Sequence, residues 1–441
     1  MINILKKIDG LFITPVSGGA DEQNKILRER LPFKVLEYKS GSEHNGWRVP
    51  YKWEVAKAEI RKNGKLIYDG KKHPLGVIGY SQSFKGKVSL AELKKHLYYY
   101  EPSPEDIVYH YDLYYKPHRK IWGFSLPYNL YKTLRPGKYD IDLETSHTPG
   151  AMKVLEYVHQ GDSAKTIILN AHNCHAAQLN DGPAGYVVLM EAMRRLKSRR
   201  TKYTYRLVIG PEIVGTVFYL AGLSKKITGN FKLGIFLEMV GHNNPIFSLQ
   251  ESLNADSLID KIAHHVLKHK SQGYWSAPYR TIIGNDESAW ESPGYGVPMI
   301  SLSRCQAIGS TYPQYHLSSD NIKIIKNDKL EETVDIIMQM LDILEKDCCL
   351  KRKFTGLVAL SNPKYNLYIT AGKDPAIKVA DKKNDRLKWH NLIDRLPRYM
   401  NGNFSILDIA IKHNLPFDEV YNYLLKFKQK GLVDFMDKEL I

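Results

Sequence analysis

The hydrophobic pattern of the chain changes near residue 150. Beyond it, short apolar runs alternate with stretches whose apolar residues recur every three or four positions. Runs at 166–171, 205–210, 232–238 and 297–302 read as strands, and the stretches at 186–196, 216–223 and 328–344 read as helices. Continuous apolar runs suit strands covered on both faces. Their alternation with helices predicts an α/β three-layer sandwich around a largely parallel sheet.

Before residue 150 the pattern is shorter in period and richer in Tyr, Trp, Gly and Pro. A charged amphipathic stretch, 21–31, predicts a helix stopped by Pro32. Alternating runs at 53–60, 66–70 and 75–80 predict strands, with turns at Asn63-Gly64 and Asp69-Gly70, and one helix is expected near 90–99. At the other end, apolar faces at Ile406, Ile409 and Ala410, then at Val420, Leu424 and Phe427, flank a turn at Asn414-Leu415-Pro416. With a closing strand over 431–435 this reads as a winged helix. The expected organisation is a catalytic domain of residues 1–40 and 146–350, a β-rich inserted domain of 41–145, a connector of 351–385 and a winged-helix domain of 386–441.

Composition narrows the class. With 441 residues, 43% hydrophobic and 25% charged, the chain has an ordinary globular balance. The cysteines, Cys174, Cys305, Cys348 and Cys349, match no zinc knuckle or disulfide framework, which points to a reducing compartment. The first residues lack the pattern of a secretory signal, and no run of about 18 apolar residues occurs. A cytoplasmic protein with no membrane span is expected. A net charge of +16 raises the prior for anionic partners, but acidic residues are interleaved with the basic ones. Asp418 and Glu419 open the presumed recognition helix where phosphate or base contacts would fall, so nucleic acid is not the expected partner.

Candidate chemistry collects where the apolar strands end, the place open α/β sheets put their sites. His172, Cys174 and His175 follow the first strand, and Asp181 opens the next helix. Glu212 follows the second strand, Glu238 ends the third, and Tyr315-His316 follows the last. Imidazole mixed with carboxylate suits zinc better than calcium or magnesium. A carboxylate free of metal can act as general base on metal-bound water.

These motifs, in this order, resemble the co-catalytic zinc aminopeptidase superfamily. Within it the chain is similar to a bacterial branch of aminopeptidase-like proteins with an inserted β-rich domain and a C-terminal winged helix, often associated with polysaccharide biosynthesis. Cys174-His175, Asn180-Asp181, Pro211-Glu212, Ser288 to Gly294, Tyr315-His316, Val49 to Trp53 and Trp122-Gly123-Phe124 carry the likeness. The resemblance implies His175, Asp181, Glu238 and His316 as metal ligands, Asp181 bridging two ions, and Glu212 as general base. Three departures stand out. Ile213 replaces a second glutamate, which leaves one or two zinc ions open. His172 competes with His175 for the ligand role. Ala176 stands where the branch has a proline.

Asp286 and Glu287 are candidates for a substrate amine or a metal, against a reading as a solvated loop pair. Arg304 is a candidate for a substrate carboxylate, against a structural ion pair. Tyr315 is a candidate oxyanion donor, and Tyr98, Tyr99, Tyr100, Tyr114 and Tyr115 read as packing of the β-rich domain rather than a sugar platform. The expected function is zinc-dependent hydrolysis of a small peptide or other amide. Two alternatives are an amide hydrolase acting on an amino-sugar or glycan precursor, and a non-enzymatic winged-helix regulator with a degenerate peptidase domain. Self-association is left open.

Overall fold

A computed structural model describes residues 1–369 and 383–437. The chain divides into two compact units, Met1–Ile259 with Gln272–Asp335, and Asp260–Ser271 with Ile336–Ile441.

The first unit is built on an eight-stranded sheet. Its order is Lys34–Lys39, Ala151–His159, Tyr203–Gly210, Ser163–His172, Phe231–Leu237, Met299–Ser303, Phe247–Gln250, Tyr274–Ala277. Four neighbouring strands, from Tyr203–Gly210 to Met299–Ser303, run parallel. In the strand Ser163–His172 every residue from Thr166 onward is buried, as its apolar run requires. The helix Pro183–Leu196 begins with its proline at the first turn, where no N–H is needed, and buries Tyr186 to Met190 in succession. Each such apolar side chain contributes roughly 1.5–3 kcal/mol relative to exposure.

The sheet is mixed rather than largely parallel. Ala151–His159 pairs antiparallel with both of its neighbours, and Phe247–Gln250 is antiparallel to Met299–Ser303. A parallel neighbour needs a crossover, usually a helix. Ala151–His159 enters instead from the strand Lys138–Thr148 through Pro149 and Gly150 alone. That preceding strand belongs to a separate four-stranded antiparallel sheet, ordered Lys65–Asp69, Lys52–Lys62, Lys138–Thr148, Phe84–Ser89.

Three local expectations change. The helix expected over 21–31 is Gly18–Arg28, capped by the Ser17 hydroxyl, and it ends before the residues that Pro32 restricts. Residues 75–80 form turns, not a strand, with one isolated bridge from Val77 to Phe124. A Cβ at Gly76 would meet the Gly70 carbonyl oxygen at 2.1 Å. The segment thus folds tightly against Gly70, and Leu75, Val77 and Ile78 are buried without a pleated partner. The helix expected near 90–99 is only Leu90–Leu93, followed by a 3₁₀ turn and the strand Leu97–Tyr98. That strand pairs with Phe124–Ser125, and the His96 ring stacks on Trp122 at 3.7 Å.

The second unit contains a three-stranded antiparallel sheet, ordered Asn401–Ser405, Cys348–Arg352, Val433–Asp437, and the helices Lys383–Tyr399, Ile406–His413 and Phe417–Gln429. Ser405 and Asp408 form a reciprocal capping box, and Asn414 ends that helix in the left-handed region. Cys348–Arg352 overlaps the stretch read as a connector. Residues 370–382 of that connector and 438–441 of the last expected domain lie outside the described residues. Among the described residues no helix is long and apolar enough to cross a membrane.

Candidate metal centre

Because the four central strands are parallel, their C-terminal ends reach one edge of the sheet together. His172 is the last residue of Ser163–His172, Glu238 follows Phe231–Leu237, and Glu212 stands between Tyr203–Gly210 and the helix Val214–Ala221. Asp181 lies just before the helix Pro183–Leu196. That helix packs so closely on the third strand that a Cβ at Gly185 would meet the Leu237 carbonyl oxygen at 1.9 Å. Gly182, with φ +93°, supplies the left-handed turn between Asp181 and Pro183.

Asp181 stands between two groups of donors. On one side His316 Nε2 is 3.0 Å, and His175 Nε2 4.0 Å, from Asp181 Oδ2. On the other, His172 Nε2 is 3.0 Å from Asp181 Oδ1 and 3.1 Å from Glu238 Oε2. Within each group of three, one donor atom from every residue lies within 4.8 Å of the others. His172 and His175 face different oxygens of the same aspartate, and with Cys174 they form a third such group.

The cluster gathers buried carboxylates and imidazoles at short range. Asp181 is 2% and Glu238 0% exposed. Burial pushes the Glu238 carboxyl up to about 8, and its Oε1 is buried without a hydrogen-bond partner. Burial also raises Glu212 and lowers His175. Buried carboxylates are costly unless paired or bound to metal. Nitrogen and oxygen donors in this mixture fit zinc.

Backbone strain concentrates at the same residues. Ile213 has φ +58° and ψ −62°, and its neighbours close a tight turn, Val214 N–H to Glu212 O at 2.6 Å. This is the rare, strained form of γ-turn, costly for a β-branched residue. Met239, beside Glu238, and His316 also have positive φ, +52° and +57°. Asn180 and Asp320 hold these turns. Asn180 Oδ1 accepts from Gly241 N–H at 2.7 Å, and its carbonyl accepts from Met239 N–H at 2.9 Å. Asp320 accepts from the N–H of Asn180 at 2.8 Å and from the Tyr312 hydroxyl at 2.6 Å.

The roof of the site comes from residues 106–115, within the stretch read as an insertion. Tyr109 N–H donates to the His316 carbonyl at 2.8 Å, and Asp106 accepts from the hydroxyls of Ser318 and Ser319. The Tyr109 ring lies 5.0 Å from that of His175 and 5.2 Å from that of His316. The Tyr115 hydroxyl donates to Glu212 Oε2 at 2.5 Å. Tyr115 thus does more than pack the β-rich region. With Tyr111, Ile213, Ile283, Asn285 and Tyr315 it lines a cleft of about 310 Å³ that opens onto His175, Asp181, Glu212, Glu238 and His316.

The remaining candidates separate. Tyr315 lines the cleft and stacks on His316 at 3.9 Å. Asp286 and Glu287 are 1% and 0% exposed, so they are not a solvated pair. Asp286 accepts from the Thr216 hydroxyl, and Glu287 accepts from Asn285 N–H at 2.8 Å. Between sheet and cleft, Asn285 donates to Glu238 Oε2 at 2.7 Å. Arg304 does not reach the cleft. Fully buried, it donates to the carbonyls of Asn244 and Pro245 and to Glu332 at 2.9 Å, and it stacks on Phe247 at 3.8 Å. Both of its terminal nitrogens are engaged by the protein and its Nε is buried without a partner, so no fork is presented to a substrate carboxylate.

Sequence reasoning missed Tyr109, Tyr111 and Asn285 as residues of this site. The dense run Tyr109-His110-Tyr111-Asp112-Leu113-Tyr114-Tyr115 was the available signal for the tyrosines. Asn285 adjoins two residues that did attract notice.

Residues 11–347 match a protein family described as a domain of unknown function, DUF4910. A Clostridium acetobutylicum protein, provisionally named a polysaccharide biosynthesis protein with aminopeptidase-like domain, is 27% identical over 420 residues, 95% of this chain and 92% of its own. Among solved structures, that of a provisionally named peptidase from Clostridium acetobutylicum superposes with a TM-score of 0.82 at 24% identity, over 99% of this chain and 96% of the other. A zinc aminopeptidase from Bacillus subtilis superposes with a TM-score of 0.57 at 13% identity, over 77% of this chain and 93% of its own. The fold is that of the zinc aminopeptidases, as the motifs implied.

Proposed function

The chain belongs to the DUF4910 family, and on that premise we propose that it is a zinc-dependent amide hydrolase of aminopeptidase-like type with Glu212 as general base. One observation carries this reading. A single buried carboxylate, Asp181, is shared by two compact donor groups on a cleft that Glu212 also lines. His175, Asp181 and His316 would hold one ion, and His172, Asp181 and Glu238 a second. In this reading His172 supplies the donor that Ile213 cannot. Bound zinc would polarise the amide carbonyl and lower the pKa of water towards about 7.

The chain's own residues then have distinct tasks. Glu212, raised by burial, takes the proton of the attacking water and returns it to the leaving nitrogen. Tyr115 fixes one oxygen of Glu212 and leaves the other for that transfer. Tyr315 is a hydroxyl on the cleft wall suited to a developing oxyanion. Ile213 and Ile283 put apolar side chains on the cleft wall, which strengthens the polar contacts beside them.

The test is metal analysis of the purified protein together with a panel of aminoacyl and N-acyl amides. Glu212→Gln is expected to cut turnover about 10²–10⁴-fold while metal is retained. Unchanged turnover in that variant refutes the assignment.

A second reading keeps the site and changes the substrate to an amide on an amino-sugar or glycan precursor. The name of the Clostridium acetobutylicum relative and the hydroxyl-bearing walls at Tyr111, Tyr115 and Tyr315 favour it. Turnover of amino-sugar amides in preference to peptide amides separates the two readings.

A further inference from the structure

A second pocket in the first unit has the opposite electrostatic character. The short helix Asp112–Tyr115 has the metal cleft on one side, walled by Tyr111 and Tyr115. Leu113 and Tyr114 wall a separate pocket of about 290 Å³. Arg48, Arg119, Lys120 and His147 also line that pocket, and no described lining residue is acidic. The metal cleft is the converse: Asp181, Glu212 and Glu238 line it, with no Lys or Arg among its described lining residues.

The cations of this pocket are largely uncommitted. Arg119 pairs with Asp112 at 3.0 Å and keeps further N–H donors. Among the described residues neither Arg48 nor Lys120 has an ion-pair partner. Burial, with Lys120 nearby, holds His147 below the usual imidazole range, so it serves as a neutral hydrogen-bonding group beside Gln82 at 3.3 Å. Arg48, Arg119 and Lys120 all line this concavity and give it a positive character that favours a bound anion. Tyr51 adds a second kind of surface. It is 42% exposed and lines the same pocket as the cations. An exposed ring with an amide and an imidazole close by suits the face and hydroxyls of a sugar. Tyr51 belongs to the Val49 to Trp53 motif, which the metal centre does not use.

We propose that this pocket binds an anionic saccharide, with its phosphate or carboxylate on Arg48, Arg119 and Lys120 and its ring against Tyr51. The inference is independent of the metal chemistry and holds for either substrate reading.

Calorimetric titration of the full chain with glucose 6-phosphate, glucuronate, inorganic phosphate and glucose tests it. Saturable binding of one or both anionic sugars is expected, weakening with added salt, with glucose alone not bound. The double variant Arg48→Gln, Lys120→Gln is expected to weaken binding about tenfold or more. Both side chains lie at the surface, so its melting temperature should match that of the parent, and Lys120→Glu provides an independent check. Tyr51→Ala should weaken the sugar anion and spare inorganic phosphate. Glu212→Gln should leave binding unchanged, which separates this pocket from the proposed active site. The inference is overturned if neither anionic sugar saturates, or if the double variant binds like the parent. It also falls if inorganic phosphate matches the sugar anion in parent and Tyr51→Ala alike.

Discussion

The Tyr115 hydroxyl donates a hydrogen bond to Glu212 Oε2 across 97 positions of sequence. That bond favours the ionised carboxylate and works against the burial that raises it. In Tyr115→Phe the Glu212 pKa should therefore rise. A general base must be deprotonated, so the acidic limb of the pH–rate profile should move to higher pH. The profile measured on the best amide of the panel checks this, and an unmoved limb would detach Tyr115 from the base.

Asp181 is the residue both donor groups share, and stoichiometry reads that directly. The parent chain is expected to take up two zinc ions, His316→Ala and His172→Ala one each, and Asp181→Asn neither tightly. Elemental analysis after dialysis against a buffered zinc concentration measures it. A single ion that survives His172→Ala would confine metal to the His175 side.

Arg304 tests the separation of structure from chemistry. Its partners are all within the fold, so Arg304→Ala leaves two carbonyls without their donor, leaves Glu332 to Lys329 alone and removes the ring contact with Phe247. A loss of about 3 kcal/mol or more in denaturant-derived stability is expected. Any surviving folded fraction should retain the parent KM. A raised KM at full stability would restore Arg304 as a substrate contact.

Asp286 and Glu287 are among the buried acids whose raised pKa makes stability depend on pH. Burial lifts Asp286 and Glu287 to about 7 from 3.8 and 4.5. Each binds its proton more tightly in the folded chain than in the unfolded one. The stability linked to those protons is complete below the ordinary carboxylate range and is lost as pH rises through about 7. Thermal melts of chelator-treated protein should fall across that window. Asp286→Asn, which keeps an acceptor for Thr216, should flatten the fall.

The parts of the fold that could be read in advance are those whose local pattern agrees with their environment. The runs at 166–171 and 205–210 are apolar because both faces of their strands are covered, and that demand is written into consecutive residues. The segment 75–80 shows the limit. Leu75, Val77 and Ile78 are buried as their character asks, yet a close backbone approach at Gly70 and Gly76 denies them a strand. Periodicity records burial, not the partner that provides it.

For the site, the sequence by itself determined the chemical inventory and its address. His172, Glu212 and Glu238 stand at ends of parallel strands, His175, Asp181 and His316 lie on the loops that follow such ends, and strand polarity brings those ends to one edge. Which donor faces which was decided only by the tertiary structure. His172 and His175, whose rings lie 4.6 Å apart, face different oxygens of Asp181, one from the end of a strand and the other from the loop that follows it. Arg304 follows a strand like the others, yet its side chain is drawn among Asn244, Pro245 and Glu332. Tyr115 meets Glu212 because residues 106–115 are tied to residues 316–319 by hydrogen bonds. Contacts between segments so far apart in the chain depend on packing directions that no local pattern encodes.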